Sequence, residues 1–220
     1  RYLATVRLGA SSNTDDADGE VLPVADASGL TLAEVDRALE PQRGDILHVP
    51  TTVSAIKVDG KRAYALARAG ERVELKARPV TVSRLDVLDV RASGEMCDVD
   101  LDVECSSGTY VRAIARDLGA ALGVGGHLTK LRRTRIGGYT LDDAVALGDD
   151  PPALMSMADA ARLSFPVVEL TEEQARDVGF GRPLALPVPT NPTGLIAPSG
   201  ELLALYRPTD VGSRPVAVLG

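Results

Sequence analysis

Apolar residues recur at every second position in several stretches of the chain. From Tyr2 to Leu8 the even-numbered residues are all apolar, which predicts a β-strand. Residues 80–90 are also strand-like. Residues 98–105 alternate acidic with apolar side chains without a break, so this strand is expected to bury one face and expose the other to water.

Two other stretches place apolar residues at the spacing of a helix. The first covers residues 32–39 and follows a capping box that begins at Thr31. The second covers residues 111–122 and ends at Gly123, and the preceding Ser106-Ser-Gly-Thr109 is expected to cap it. Strands and helices in mixed order predict an α+β domain.

Residues 51–78 combine a strand-turn-helix pattern with an excess of positive charge. Residues 53–58 are strand-like, Asp59-Gly60 is a turn signal, and apolar positions at helical spacing then run up to Gly70. The whole stretch carries seven Lys or Arg and three acidic residues. It is therefore predicted to be a structured basic element and not a tail.

Charge is unevenly distributed over the chain. The formal net charge is -7, which taken alone argues against a polyanionic partner. Residues 111–135, however, hold six Lys or Arg and one acidic residue. Together with residues 51–78 they form two basic segments in an acidic chain. On charge alone, two solvated surfaces explain this separation as well as a face that binds a polyanion.

Pro151-Pro152 marks a predicted domain boundary. Residues 1–150 are expected to form the α+β domain and residues 151–165 a linker. Residues 166–220 are expected to form a small β-rich domain, because short apolar strands recur there between turn signals. These strands are predicted at 183–187, 194–197, 202–206 and 215–219.

Patterns typical of metal and nucleotide-cofactor enzymes are missing from the sequence. His48 and His127 are far apart, and no phosphate-binding or dinucleotide motif occurs. Cys97 and Cys105 lie at opposite ends of one predicted strand, too far apart for a disulfide, so they are expected to be separate thiols in a reducing cytoplasm. No apolar run approaches the ~18 residues that a membrane helix needs, so we expect a soluble protein.

Five blocks of sequence form an ordered pattern over about residues 1–148. They are Tyr2 with Arg7-Leu-Gly9; Thr14-Asp-Asp-Ala-Asp-Gly19; Pro50-Thr-Thr-Val-Ser-Ala-Ile-Lys57 with Gly60-Lys-Arg-Ala-Tyr64; Ser107-Gly-Thr-Tyr-Val-Arg112; and Gly126-His-Leu-Thr-Lys-Leu-Arg-Arg133. In order and spacing they resemble the bacterial TruB family of tRNA pseudouridine synthases. The resemblance implies a pseudouridine-synthase-type domain with a mixed, mainly antiparallel sheet, followed by a PUA-like RNA-binding domain.

The resemblance also implies an activity and a set of pocket residues. The family converts the uridine at position 55 in the T loop of tRNA to pseudouridine, with no metal or organic cofactor. Extruding a base costs a few kcal/mol, which stacking worth ~1–3 kcal/mol per base can offset. The residue matching Tyr2 stacks on the flipped base and is a candidate base for proton removal. Those matching Tyr110 and Leu131 pack around the uracil, although plain core packing explains Leu131 equally well. Asp16 matches an aspartate with a supporting role.

The family's nucleophile is an aspartate in a Gly-x-Leu-Asp-Pro loop, and the arginine matching Arg112 pairs with it. An arginine beside a carboxylate lowers its pKa and fixes its orientation. No Leu-Asp-Pro occurs in this chain. The family places that loop upstream of the strand beginning at Tyr2, so we expect the nucleophile in a segment outside the 220 residues and expect these residues alone to be inactive. Turn chemistry is the expectation for Asp15 and Asp18.

Residues 51–78 match the family's thumb-like insertion, and the two basic segments are expected to contact the RNA backbone. The implied contacts are Lys57, Lys61, Arg62 and Arg68, with Arg72, and Lys130, Arg132 and Arg133, with Arg135. Such phosphate contacts position a folded RNA whose shape provides specificity. The expected partner is the T arm of tRNA, bound by a cytoplasmic monomer.

Two alternatives remain. A non-catalytic RNA-binding or tRNA-folding chaperone module would retain the same basic segments. A protein-binding or small-molecule enzyme domain would have an apolar pocket without a basic rim.

Overall fold

The computed structural model describes residues 1–58, 60–68, 75–148 and 152–219, and the side chains of residues 58, 61, 62 and 66–68 lie outside this description. The chain divides into two compact units, Arg1–Thr134 and Arg135–Gly220. In chain order the first unit contains β1 (Tyr2–Leu8), β2 (Ala10–Ser12), β3 (Val21–Pro23), α1 (Leu32–Leu39), β4 (Gly44–His48), β5 (Lys57–Val58), β6 (Lys61–Arg62), α2 (Ala63–Arg68), β7 (Arg78–Ser93), β8 (Met96–Cys105), α3 (Val111–Leu122) and β9 (Gly126–Arg133).

The first unit is built on a five-stranded sheet in the order β4, β7, β8, β1, β9, and every neighbouring pair is antiparallel. Val6 of β1 lies opposite Val99 of β8, and both are fully buried. Helices α1 and α3 pack on this face, with Leu39 and Ile114 among the residues that join its core. The predicted α+β fold is confirmed.

The opposite face of the sheet carries a ladder of ion pairs. Asp98, Asp100 and Asp102 alternate with the buried residues of β8, as the sequence pattern predicts. They are not simply solvated, because each binds arginine; the pairs are Arg7 with Asp98, Arg91 with Asp100, and Arg1 and Arg84 with Asp102. Hydrogen bonds from these arginines lower the pKa of all three carboxyl groups.

Helix α3 lies unusually close to β9. A Cβ atom added to Gly119 would lie 2.1 Å from the backbone nitrogen of Gly126. A Cβ atom added to Gly126 would lie 2.4 Å from the carbonyl oxygen of Ala115. Only glycine at both positions permits this approach, which places the carboxyl half of α3 directly against β9.

The structure differs from the sequence predictions at two places in the first unit. The predicted strand over residues 53–58 is reduced to the two residues of β5. Helix α2 follows as predicted and is described as far as Arg68, and the turn residue Asp59 and the predicted helix end at Gly70 lie outside the described residues. The predicted cap from residues 106–109 is wrong, because the N-cap of α3 is Tyr110, which makes no side-chain capping bond.

The second unit is β-rich. Its elements are β10 (Arg135–Ile136), β11 (Tyr139–Thr140), α4 (Met157–Ser164), β12 (Val167–Glu169), α5 (Glu172–Gly179), β13 (Thr193–Ile196), β14 (Leu202–Thr209) and β15 (Gly212–Val218). Strands β12 to β15 form one sheet in sequence order, with β12 parallel to β13 and the other pairs antiparallel. Its core includes Val178, Leu195 and Tyr206.

Three of the four strands predicted in this unit are confirmed as β13, β14 and β15. The strand predicted at 183–187 is wrong, because there only Leu184 forms a bridge, with Ser213. The predicted linker contains helix α4, which Ser156 caps by accepting from the Asp159 amide. The division into units falls at Thr134, before the boundary predicted at residue 150, and the roles assigned to the domains stay predictions.

Both cysteines are free thiols, as predicted, and burial raises the pKa of each. In the part of the chain that the structure describes, no helix is long and apolar enough to cross a membrane. The same residues contain no group of three or more His, Cys, Asp or Glu that could hold a metal ion.

Candidate active site

A small cavity opens beside the amino end of α3. Its volume is about 230 Å³, and it is lined by Asp16, Ala17, Asp18, Arg112 and residues 128–131. Sites for drug-sized ligands usually measure ~300–1,000 Å³, so this cavity suits a smaller group such as a single nucleobase. The fold thereby brings together three predicted site residues that are distant in sequence, namely Asp16, Arg112 and Leu131.

Arg112 is held at this cavity by three oxygen atoms. Its guanidinium donates to Asp16 Oδ2 at 3.2 Å, to the Thr14 carbonyl at 3.4 Å and to the Val53 carbonyl at 3.0 Å. About a quarter of the side chain remains exposed. A guanidinium has five N–H donors, so a group in such a fixed position can still bind a further anion.

Tyr2 lies at the start of β1, opposite Arg133 of β9. The Arg133 guanidinium stands 5.5 Å from the centre of the Tyr2 ring, a cation–π distance. Leu131 lies two residues from Arg133, so the pleat places the three side chains on one face of the sheet, the face that α3 covers. Leu131 is 48% exposed and lines the cavity, whereas Tyr2 is half-buried and is not among the residues that line it.

Tyr110 is positioned by a histidine that the sequence patterns did not single out as a site residue. The Tyr110 amide donates to Nε2 of buried His48 at 3.2 Å. Burial lowers the pKa of His48, and the cations Arg116 and Arg78 act in the same direction, opposed by Asp117. His48 is therefore a neutral acceptor at pH 7. No local motif could have indicated this, because the partner is a backbone group 62 positions away.

The loop that carries Asp16 is fixed by its own carboxylates and by β9. Asp16 Oδ1 accepts the Asp18 amide at 2.8 Å, so Asp16 performs the turn chemistry that was predicted for its neighbours. Asp15 instead forms an ion pair with Arg116 at 3.4 Å, and its carbonyl accepts the Leu128 amide at 3.0 Å. Burial raises the pKa of Asp15, and the Arg116 charge opposes that rise.

Residues 1–111 match the TruB family pseudouridylate synthase N-terminal domain, which is half of the chain. The chain belongs to the TruB family. Residues 112–158 match the tRNA pseudouridylate synthase B C-terminal domain, and residues 165–220 match the C-terminal domain of tRNA pseudouridine synthase II.

The TruB-family chain is similar to curated proteins that are named tRNA pseudouridine synthase B. The protein of Cutibacterium acnes is 52% identical over 225 residues, which cover 99% of this chain and 76% of the relative. The protein of Mycobacteroides abscessus is 50% identical over 222 residues, which cover 99% of this chain and 74% of the relative.

Two solved structures share the fold of the TruB-family chain at lower identity. One is an H/ACA RNP bound to a substrate RNA containing 2'-deoxyuridine, with a TM-score of 0.63 at 17% identity. The other is a Cbf5-Nop10-Gar1 complex, with a TM-score of 0.63 at 19% identity. The chain spans 65% of the length of each solved chain, and 100% of its own residues are covered. The predicted pseudouridine-synthase-type fold is therefore confirmed.

The basic residues of β9 in the TruB-family chain lie on two faces. Lys130 and Arg132 pair with Thr5 and Leu3, so they face away from the side of Leu131 and Arg133. They line a second cavity of about 320 Å³, whose walls include Leu3, Leu88 and Asp100, and Lys130 lines the first cavity as well. The predicted basic stripe is thus divided between the two sides of an edge strand.

In the insertion, Lys57 is exposed. The side chains of Lys61, Arg62 and Arg68, and the whole of Arg72, lie outside the described residues. Their RNA contacts stay predictions.

Proposed function

We propose that this TruB-family protein is a tRNA pseudouridine synthase that isomerises uridine 55 in the T loop without a metal or organic cofactor. The observation that carries the proposal is Arg112, which three oxygen atoms hold beside a cavity of single-base size. The 52% identity to an enzyme named tRNA pseudouridine synthase B supports the same reaction.

Arg112 is the residue that orients the attacking carboxylate. A guanidinium already held by Asp16, Thr14 and Val53 loses little freedom when it binds a second carboxylate, and its charge keeps that carboxylate ionised at neutral pH. The family's nucleophilic Leu-Asp-Pro aspartate is not among these 220 residues. Arg112 is therefore proposed as its partner.

The flipped uracil is proposed to lie against Leu131, with Tyr2 stacking on the base. Leu131 keeps about half of its surface exposed at the cavity, which favours a substrate wall over the core packing that the sequence left open. The Arg133 guanidinium lies at cation–π distance from the Tyr2 ring. It is therefore proposed to bind a phosphate of the RNA next to the base that stacks on Tyr2. Tyr110 precedes Arg112 by two residues and is proposed as a further wall.

The proposed partner is the T arm of tRNA, bound by a cytoplasmic monomer. Lys57, Arg133 and the predicted basic side chains of the insertion would contact phosphates, and RNA contacts by the β-rich second unit are part of the same proposal. A tRNA-folding chaperone without chemistry would use the same surface, and turnover distinguishes the two.

The test is pseudouridine formation by the protein as encoded in its gene on an unmodified tRNA transcript labelled with tritium at uracil C5. Tritium is released when that carbon forms the new glycosidic bond. Arg112→Ala is expected to slow release on the order of a hundredfold or more, the usual effect of losing a charged group at a reacting centre. Arg7→Gln is the matched control, because Arg7 is paired with Asp98 on the opposite face of the sheet.

A transcript with cytidine at position 55 should release no label from the T loop. Tight tRNA binding by wild-type protein without any release would refute the enzyme and favour the chaperone. An Arg112→Ala variant as active as Arg7→Gln would refute the role given to Arg112.

A further inference from the structure

Helix α3 carries a second arginine, Arg116, one turn after Arg112. Residues four apart stand on the same face of a helix. Arg116 donates to the Val49 carbonyl at 2.8 Å, to the Pro50 carbonyl at 3.4 Å and to Asp15 Oδ2 at 3.4 Å, and its Nε donates to Asp117 at 2.8 Å. Four acceptors occupy this side chain, which is only 30% exposed.

The two arginines connect the same pair of segments. Residues 14–16, which we call the aspartate loop, bind Arg112 through Thr14 and Asp16 and bind Arg116 through Asp15. Residues 49–53, the insertion root, lead from β4 towards β5 and accept from both arginines through backbone carbonyls. Both segments are thus attached to one rigid helix at two successive turns.

Asp15 is the most constrained residue of the aspartate loop. Its φ is +60°, in the left-handed region that residues other than glycine adopt uncommonly, and mainly where their surroundings hold them. Its carbonyl accepts the Leu128 amide at 3.0 Å and so ties the loop to the wall of the cavity. Its carboxylate is only 13% exposed and faces Arg116. A buried carboxylate that loses its cation must be resolvated or protonated, and either change displaces the loop.

Neither Arg116 nor Asp15 lines the cavity. They do not touch a group bound there, and they can affect a reaction through the segments that they hold. Because Asp16 and Val53 fix Arg112, a shift of the aspartate loop or of the insertion root moves the guanidinium. A misplacement of ~1 Å costs on the order of a hundredfold in rate when reacting groups must be aligned.

We infer that Arg116 and Asp15 are positioning residues, which couple the aspartate loop to the insertion root and thereby hold Arg112 in place for catalysis. The catalytic part of this inference rests on the proposed function. The coupling of the two segments is a property of the fold alone.

The first test is a double-mutant cycle with Arg116→Gln, Asp15→Asn and both together in the protein as encoded in its gene. Asparagine keeps the shape of aspartate and tolerates the left-handed conformation. Each single change is expected to slow single-turnover pseudouridine formation about tenfold while the Kd for tRNA stays within about twofold, and the double variant should be no slower than the slower single variant. If the ion pair only stabilised the fold, the single variants would have lower thermal stability, but they would not react more slowly while binding tRNA with the same Kd.

The matched control is Arg7→Gln with Asp98→Asn, an ion pair of the same kind on the other face of the sheet. It should leave the rate unchanged. Single-variant rates equal to wild type, or effects that multiply in the double variant, would overturn the positioning role.

The second test does not depend on activity. Hydrogen–deuterium exchange is measured at the Leu128 amide, which donates to Asp15, and at the Tyr64 amide, which donates to Ser54 beside the insertion root. Arg116→Gln should speed exchange at both amides several-fold, and the Arg7→Gln control at neither. Faster exchange at only one of them would overturn the coupling. If wild-type protein forms no pseudouridine, the proposed function fails and this measurement alone decides the coupling.

Discussion

His48 provides the sharpest stability prediction, because it accepts a hydrogen bond from a backbone amide and burial lowers its pKa. The residue is 2% exposed, and its Nε2 accepts a hydrogen bond from the Tyr110 amide at 3.2 Å. Tyr110 begins α3 without any side-chain capping bond. Two variants separate the effect of the hydrogen bond from the effect of titration. His48→Gln keeps an acceptor without a titrating group, whereas His48→Leu keeps neither.

The expected magnitude at pH 7.5 follows from the lost acceptor. Leaving a buried amide without a partner costs ~1–3 kcal/mol, and Tyr110 is half-buried, so we expect His48→Leu to lower the free energy of unfolding by about 1–2 kcal/mol. His48→Gln should cost less than about 1 kcal/mol, because its amide oxygen can accept the same bond.

The pH dependence has a definite sign. Burial lowers the pKa of folded His48, whereas the unfolded histidine titrates near ~6.5. As the pH falls below that value the unfolded state takes up the proton first, so wild-type stability falls by at most ~1.4 kcal/mol per pH unit until the folded pKa is reached. Both variants lack this titrating group, so their free energy of unfolding should decrease less than that of wild type between pH 7 and pH 5.5.

Urea unfolding followed by far-UV circular dichroism at pH 7.5, 6.5 and 5.5 measures these differences. Exchange of the Tyr110 amide reports the bond itself and should be fast only in His48→Leu at pH 7.5. Parallel pH curves for wild type and His48→Gln would refute the titration argument. Equal stability of wild type and His48→Leu at pH 7.5 would refute the capping argument.

Two further predictions concern the packing of α3 on the sheet and the ion pairs on the opposite face. Gly119→Ala should lower the free energy of unfolding by more than about 2 kcal/mol, because its Cβ would lie 2.1 Å from the Gly126 backbone nitrogen. The control is Gly29→Ala, whose Cβ would have no atom within 4 Å and which should change that free energy by less than about 0.5 kcal/mol. Urea unfolding measures both. The lowered pKa values of Asp98, Asp100 and Asp102 contribute stability that is present above the ordinary carboxyl pKa and is lost as the pH falls through the folded values. In a variant with all three aspartates changed to Asn, the free energy of unfolding should therefore decrease less steeply below about pH 4 than in wild type. Identical slopes of stability against pH would contradict the stabilising role of these ion pairs.

Periodic patterns were sufficient where a residue's surroundings are set by its own element. The alternation in β8 and the apolar stripe of α3 follow from burial of one face, and both elements form where the sequence predicts them. Helix α4 escaped prediction because its apolar stripe is weak, whereas α1, which has the same length, has a strong stripe. The apolar run at 183–187 packs through Leu184 without forming a strand.

The resemblance named the candidate site residues, whereas their arrangement in space could not be predicted. Arg112, Asp16 and Leu131 do meet at one cavity. Alternation along β9 is enough to place Lys130 and Arg132 on the side opposite to Leu131, but it could not reveal the register shift in the pairing of β9 with β1, which lies between Thr5 and Val6. His48 and Arg116 act on backbone groups of distant segments, for which a sequence carries no local signal.

These observations make helix α3 the element on which the cavity depends. Glycine contacts at its carboxyl end place it against β9, His48 fixes its first amide, and Arg112 and Arg116 extend from its first two turns to the aspartate loop and the insertion root. A single helix that holds both segments transmits any tilt to both at once. Substitutions that tilt α3 should therefore impair the reaction before they unfold the protein, whereas substitutions of equal cost in the ion-pair ladder on the other face should reduce stability alone.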